Sequence, residues 1–383
     1  MTEQSTDPVL HWNAEFIAAV RAEGGPPTTV SRAAAIVHVA MYDAAVAVAR
    51  TANPYALRFP PYVDGIEPSL EAAINQAGYQ ALRTVYPGRD FTVALDDATS
   101  RLGLRVRPIP LIRGAAIGSA AAEAVVRARI GDGSESSAPY VAVLEAGAWR
   151  PTGSGAAVSP HWGLVRPWSL SSGDQYRPQP PDDAGSYEKL LDSDFYEQQV
   201  EEVRLLGARD SSQRTAEETE QAHFWSEDRH LGHTRTVAVR QGLSTLENAR
   251  LFALVAMATA DATIAVWDAK YLSGIDLWRP ETAVRFGPDR GWSPLSDSAP
   301  AYPAYVSAHA VLAGAWATTM RLFLGTDEVA DFGSFASFTS FARAAEEAAR
   351  SRVLLGVNYP VAADNGLDLG RNVAQHVHAN HLR

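Results

Sequence analysis

Residues 245–270 read TLENARLFALVAMATADATIAVWDAK. From Leu246 to Trp267 apolar side chains occupy nearly every face of a 3.6-residue helix, the pattern of a helix enclosed by others on all sides. A chain that builds such a helix must also supply the helices that cover it. The rest of the sequence does so: apolar residues recur at helical spacing over most of its length, alanine is abundant and strand-like alternation is scarce. The expected fold is therefore all-α.

Outward from this centre, Trp12, Phe16, Ile17 and Val20 share one face of a first helix, which Pro26 and Pro27 are expected to break. A second helix then runs from near Ser31 toward Arg50. Further helices are expected over residues 69–86, 90–102 and 109–130, then 187–206, 212–225, 308–324 and 335–355. Residues 149–185 differ: Pro, Gly and Ser are frequent among Trp149, His161, Trp162 and Trp168, which predicts irregular chain packed on a scaffold. Those tryptophans either line a cavity or anchor the loop. No fixed-period repeat is evident, which excludes a solenoid.

Composition bounds the chemistry. The 383 residues carry 33 Lys and Arg against 44 Asp and Glu, a net charge of −11, with 46% hydrophobic residues and no cysteine. At roughly 100–200 residues per domain this is two or three domain-sized units or one large helical body. The acidic balance argues against partners rich in phosphate, nucleic acid and anionic membrane alike. Without cysteine there is no disulfide, thiol nucleophile, cysteine-bound zinc or iron–sulfur cluster. Met1 to Asn13 lacks the basic and apolar pattern of a secretory signal. The strongest apolar run, Leu251 to Ala260, stops at Asp261, short of the roughly 20 residues a bilayer requires. A cytoplasmic protein is expected.

Three segments place cations or hydroxyls beside helix ends. They are Lys270-Tyr-Leu-Ser-Gly-Ile-Asp-Leu-Trp-Arg279-Pro280, Tyr302-Pro-Ala-Tyr-Val-Ser307-Ala308-His309 and Ser351-Arg352-Val-Leu-Leu-Gly356-Val-Asn358. A helix beginning after Ser307 would aim free N–H groups and its positive dipole end at an anion. Lys270, Arg279 and Arg352 brought to the same place would cradle a tetrahedral oxyanion, with His309 as acid or base.

The three segments resemble the signature of the vanadium-dependent haloperoxidase and type 2 phosphatidic acid phosphatase superfamily: Lys, six residues, Arg-Pro; Pro-Ser-Gly-His; Ser-Arg, three residues, Gly, one residue, His. The likeness extends to His11-Trp12-Asn13, to residues 36–44 and to Arg177-Pro-Gln-Pro-Pro, so it spans nearly the whole chain and points to the bacterial haloperoxidase-like branch. It implies two four-helix-bundle-like halves, about 9–148 and 186–383, joined by the Pro/Gly/Trp-rich loop 149–185. The anion site would lie in the second half of this single body of 383 residues.

The departures from that signature carry chemistry. The final His, which in the family bonds vanadate or becomes phosphorylated, is Asn358 here, and an amide supplies neither bond. Val306 and Ala308 replace the family's Pro and Gly. The Lys-to-Arg interval is nine (279 − 270) rather than seven, and Asp364 stands six residues beyond Asn358 (364 − 358) where the family has an acid at plus four. If the three cations converge, each pair at about 6 Å repels by roughly 3 kcal/mol at an effective dielectric near 20. Asp276 or Glu281 is therefore expected to form a salt bridge with one of them and close the old site.

Other polar residues invite plainer readings. His223, His230 and His233 fit no zinc framework and are expected on solvated loops; His376, His378 and His381 in a frayed tail; His38 and Asp43 in satisfied structural roles. The function expected is a cofactor-independent isomerase or cyclase of a bulky, apolar, polyketide-like intermediate, which can be acidic. His309, Ser307, Lys270 and Arg279 would be catalytic, and Arg352, Asn358, Trp149, Trp168, Trp278 and Tyr302 would bind substrate or anion. No metal is expected; vanadate or phosphate is a disfavoured option, and a homodimer an open one. The alternatives are a vanadate-dependent haloperoxidase with a weakened site, an acid phosphatase, and a non-catalytic binding protein.

Overall fold

The computed structural model describes residues 7–58, 65–103, 106–137, 139–152, 155–227, 229–287, 289–329 and 339–382. Among the described residues there are 14 α-helices and no strand, only isolated bridges, so the chain is all-α. It divides into two compact units. One comprises Met1–Asp132, His230–Ala260 and Val377–Arg383; the other comprises Gly133–Arg229 and Asp261–His376. The units are thus interleaved in sequence, unlike the contiguous halves expected, because the long central helix contributes its first part to one and its last part to the other.

The first unit contains α1 (Pro8–Glu23), α2 (Pro27–Ala49), α3 (Leu70–Val85), α4 (Thr92–Gly103), α5 (Pro108–Ala128) and α9 (His230–Gln241). Pro27 does not delay the second helix but opens it, occupying the first position, where no N–H bond is required. Helices α3 and α5 approach so closely that a Cβ on Gly118 would stand 2.2 Å from the Ala73 carbonyl oxygen. Two expectations about histidines need correction here. His230 and His233 are buried on α9 rather than solvated, while His223 is exposed. No group of three or more His, Asp or Glu side chains that could hold a metal exists among the described residues.

The second unit contains α6 (Tyr187–Leu191), α7 (Asp194–Leu206), α8 (Ala216–Phe224), α11 (Pro280–Phe286), α12 (Ala308–Leu324), α13 (Phe341–Leu354) and most of α14 (Pro360–Asn380). Ser193 caps α7, splitting the helix expected over 187–206, and a Thr215/Glu218 capping box starts α8 later than expected. The expected start at residue 335 lies outside the described residues. The frayed tail is a further correction. Residues 360–380 form α14, whose Ala362, Leu369, Val373 and Val377 are buried and whose Gly370 would place a Cβ 2.1 Å from the Val311 carbonyl oxygen.

Helix α10 (Thr245–Tyr271) passes through Asp261 without interruption, so the apolar run does not end there. By length and composition α2, α5 and α10 would each suffice to cross a membrane; 94% of the most apolar stretch of α10 is buried inside the protein, against 33% for α5. Asp261 faces inward instead, its carboxylate accepting the backbone N–H groups of Trp168, Ser169 and Leu170 at 2.6, 2.8 and 3.0 Å. Two turns further along, Asp268 takes a bidentate fork from Arg177 at 2.6 and 2.8 Å. The described part of loop 149–185, irregular apart from the single turns Trp162–Leu164 and Pro181–Asp183, is thereby laid along α10 toward Lys270.

Candidate oxyanion site

Four helix ends in the second unit carry the site. Lys270 lies in the last turn of α10, Arg279 caps α11, Ser307 caps α12 with its Oγ accepting from the Ala310 N–H at 3.3 Å, and Arg352 lies in the last turn of α13. After α13 the chain reverses at Gly356, whose φ of 73° suits glycine, and so delivers Asn358.

The loop 302–306 ties these ends together through its carbonyls. Tyr302 O accepts from Arg279 Nε at 2.8 Å, Pro303 O from Lys270 Nζ at 2.6 Å and Ala304 O from Asn358 Nδ2 at 2.6 Å; Val306 O takes a second bond from Lys270. Arg279 Nη1 donates to Val357 O at 2.7 Å, and Arg352 Nη1 to Trp225 O at 3.3 Å. Every one of these acceptors is neutral.

The expected carboxylate closure is not found. Asp276 instead accepts the hydroxyl protons of Tyr140 and Tyr187, and Glu281 pairs with Arg285 at 2.7 Å. Each Asp276 oxygen accepts from a phenol rather than from a cation. Asp364 is exposed.

Among the described residues no carboxylate pairs with these cations, which are buried: Lys270 is 0%, Arg279 1% and Arg352 8% exposed. Burial, reinforced by Arg279, holds the Lys270 ammonium well below its ordinary range. Burial likewise pushes Arg279 down to about 10, with Tyr302 opposing the shift and Arg352 adding to it, and Arg352 itself down to about 10. Arg279 Nη2 is buried and has no hydrogen-bond partner. The half-buried Tyr302 ring stands over both charges, its centroid 4.9 Å from Lys270 Nζ and 4.8 Å from Arg279 Cζ. Its π face partly offsets them.

The sequence-selected residues fall into two groups. Lys270, Arg279, Arg352, Tyr302, Ser307 and Asn358 come together, and His309 follows half-buried at the second position of α12. Trp278 adjoins Arg279 in sequence, buried, with its indole N–H donated to Tyr196. Trp149 is buried against Tyr140 and Tyr271. Trp168 is not brought to the cations: it sits at Asp261, nine residues (270 − 261) and about 13 Å along α10 from Lys270, where it anchors the loop. Sequence reading missed Tyr271, Tyr140 and Tyr187; only the position of Tyr271 beside Lys270 signalled any of them.

The helical fold is similar to that of solved bacterial vanadium-dependent haloperoxidases. Residues 250–383 match the family model for the VCPO second helical-bundle domain. The chain is similar in structure to the first bacterial vanadium-dependent iodoperoxidase, with a TM-score of 0.84 and 24% identity, over 98% of this chain and 97% of that one. It is similar also to apo- and holo-type bacterial vanadium-dependent chloroperoxidase, both at a TM-score of 0.74, with 17% and 18% identity and over 92% and 94% of this chain, 92% and 93% of those. A comparison with curated protein sequences finds no significant match. The superfamily resemblance carried by the three motifs is thus supported by family over residues 250–383 and by fold over nearly the whole chain.

Proposed function

We propose that this protein is an enzyme that binds an oxyanion by charge and hydrogen bonds alone and, without a cofactor, isomerises, cyclises or rearranges a bulky organic intermediate. The carrying observation is the cluster of three buried cations to which, among the described residues, no carboxylate is paired, with one arginine N–H left unpartnered. Buried cations repel unless an anion joins them, so the cluster is built for one. A carboxylate or enolate oxygen of the substrate fits that demand. Arg279 Nη2 is the donor still free to meet it, and desolvated donors stabilise charge as it develops on oxygen. His309, at the margin, would move the proton. A small molecule also suits a chain whose net charge of −11 disfavours nucleic acid.

The same observation favours a second reading, a vanadate-dependent haloperoxidase. Lys270, Arg279, Arg352 and Ser307 fit a tetrahedral oxyanion such as vanadate, which when bound would supply peroxide activation. The residue at the metal-bonding position does not fit: Asn358 offers an amide, and its Nδ2 is committed to Ala304 O.

Deletion of the gene, identification of the metabolite that accumulates and its incubation with purified protein separate the two. Conversion without additives is expected. Conversion that requires vanadate, peroxide and halide together would establish the second reading instead, and unaltered metabolite under both conditions would leave a binding protein.

A further inference from the structure

Residues 140–149 form a loop closed at its base. The Tyr140 and Trp149 rings meet at 5.2 Å, nine residues apart in sequence (149 − 140), and the Tyr140 hydroxyl, whose proton goes to Asp276, lies 3.2 Å from Trp149 O. The returning limb is fastened to the segment just before Arg279: Trp149 N–H donates to Asp276 O at 2.7 Å and Trp278 N–H to Gly147 O at 2.8 Å. The Asp276 carboxylate, accepting from Tyr140 and Tyr187, ties the outgoing limb to the same segment.

What this base holds out is apolar. Val141 is 81%, Val143 49% and Leu144 93% exposed. Single exposed apolar side chains need no explanation, but three within four residues on a loop so firmly tethered do. Beneath them the half-buried Tyr271 packs on Tyr140 at 5.4 Å and on Trp149 at 6.3 Å, and Leu272 beside it is 38% exposed. Tyr271 is the link to the cations: it follows Lys270 directly, and its hydroxyl donates at 3.4 Å to Val158 O, which also takes the indole N–H of Trp267 at 3.0 Å, the ring that packs on Tyr302 at 5.1 Å. Aromatic side chains therefore run from the base of the loop, through Tyr140, Tyr271 and Trp267, to the Tyr302 ring over the cations.

We propose that loop 140–149 is the apolar arm of the oxyanion site, and that its ligand is an amphiphile: an ionised oxygen carried on a bulky apolar or aromatic body. This rests on the oxyanion reading above and names its substrate class. The cation cluster takes the charged end. Tyr271, Tyr140 and the Val141–Leu144 tip take the body, removing apolar surface of both partners from water.

The test is calorimetric titration of the full chain and of Val141→Ser/Leu144→Ser with inorganic phosphate and with 2-naphthyl phosphate. Both substituted side chains are exposed, and a thermal melt confirms that the variant is folded. The unaltered chain should bind 2-naphthyl phosphate about tenfold or more tightly than phosphate, and the double substitution should remove most of that advantage while leaving phosphate affinity unchanged. Equal affinity for the two probes, or equal loss of both in the variant, overturns the arm. So does a concentration-dependent dimer that the substitutions dissolve without altering naphthyl phosphate binding, which would assign the tip to a second copy of this chain. Failure of both probes to bind the unaltered chain defeats the oxyanion reading itself, and the arm with it.

Discussion

At position 358 the side-chain amide gives its proton to Ala304 O, within a buried shell of cations and carbonyls. An imidazole there would restore a nitrogen able to bond a metal oxyanion. Asn358→His is expected to raise vanadate affinity by roughly 10–100-fold, the scale on which ligand-sphere changes act; unchanged vanadate binding by calorimetry would count against the fit of the cradle. The Tyr302 ring stands over the same cations and competes with an anion for their charge. Removing it in Tyr302→Ala should tighten phosphate binding about tenfold, one cation–π contact being worth about 0.5–2 kcal/mol, whereas weaker binding would make Tyr302 a ligand contact. A different buried base governs acid stability. His38, packed on Phe252 at 5.3 Å and edge-on to Phe16 at 6.1 Å, has neither ring nitrogen hydrogen-bonded, and burial lowers its pKa from 6.5 to about 3. The unfolded chain protonates this histidine below pH 6.5 while the folded chain does not until about 3. Stability is therefore lost as pH falls through that window, by about 1.4 kcal/mol per unit, and is unaffected above it. Urea melts at pH 7, 5 and 4 should show a flatter decline for His38→Leu.

At the scale of elements, one device recurs. Asp43 on α2 accepts three consecutive N–H groups, from Tyr55, Ala56 and Leu57, just as Asp261 on α10 accepts those of residues 168–170. Each buried carboxylate anchors an irregular segment that has no ladder of its own to satisfy its backbone. Asp261→Ala strands these donors and should cost about 2–5 kcal/mol. It should also make residues 155–185 the first site of limited proteolysis, and an unchanged cleavage pattern would show the loop held by Arg177 and its packing alone. The long helices were legible because their apolar faces repeat at 3.6 residues. Helices α9, α11 and α14 were not: α11 is too short for a period to register, and α9 and α14 carry histidines that read as solvated polar chain until burial on a neighbour decides otherwise.

For the molecule as a whole, the charge of −11 conceals a buried local excess of three cations. An anion bound there stabilises the folded state by linkage, by about 2.7 kcal/mol at a hundredfold excess over its dissociation constant. Phosphate at constant ionic strength should accordingly raise the melting temperature, and no rise up to saturating phosphate would remove the basis for the cradle. Motifs 82 residues apart (352 − 270) lie together because they share one unit, fastened to the carbonyls of a single five-residue loop.

Sequence alone determined the helical class and the three motifs, because periodicity and side-chain chemistry are local properties written residue by residue. Which negative group answers the cations was a tertiary question, and there the expectation failed. Asp276 lies between Lys270 and Arg279 in sequence, yet two tyrosines from distant segments claim its oxygens. The partners of a carboxylate are set by which donors the packed chain brings within hydrogen-bond reach, and no spacing along the sequence encodes that distance.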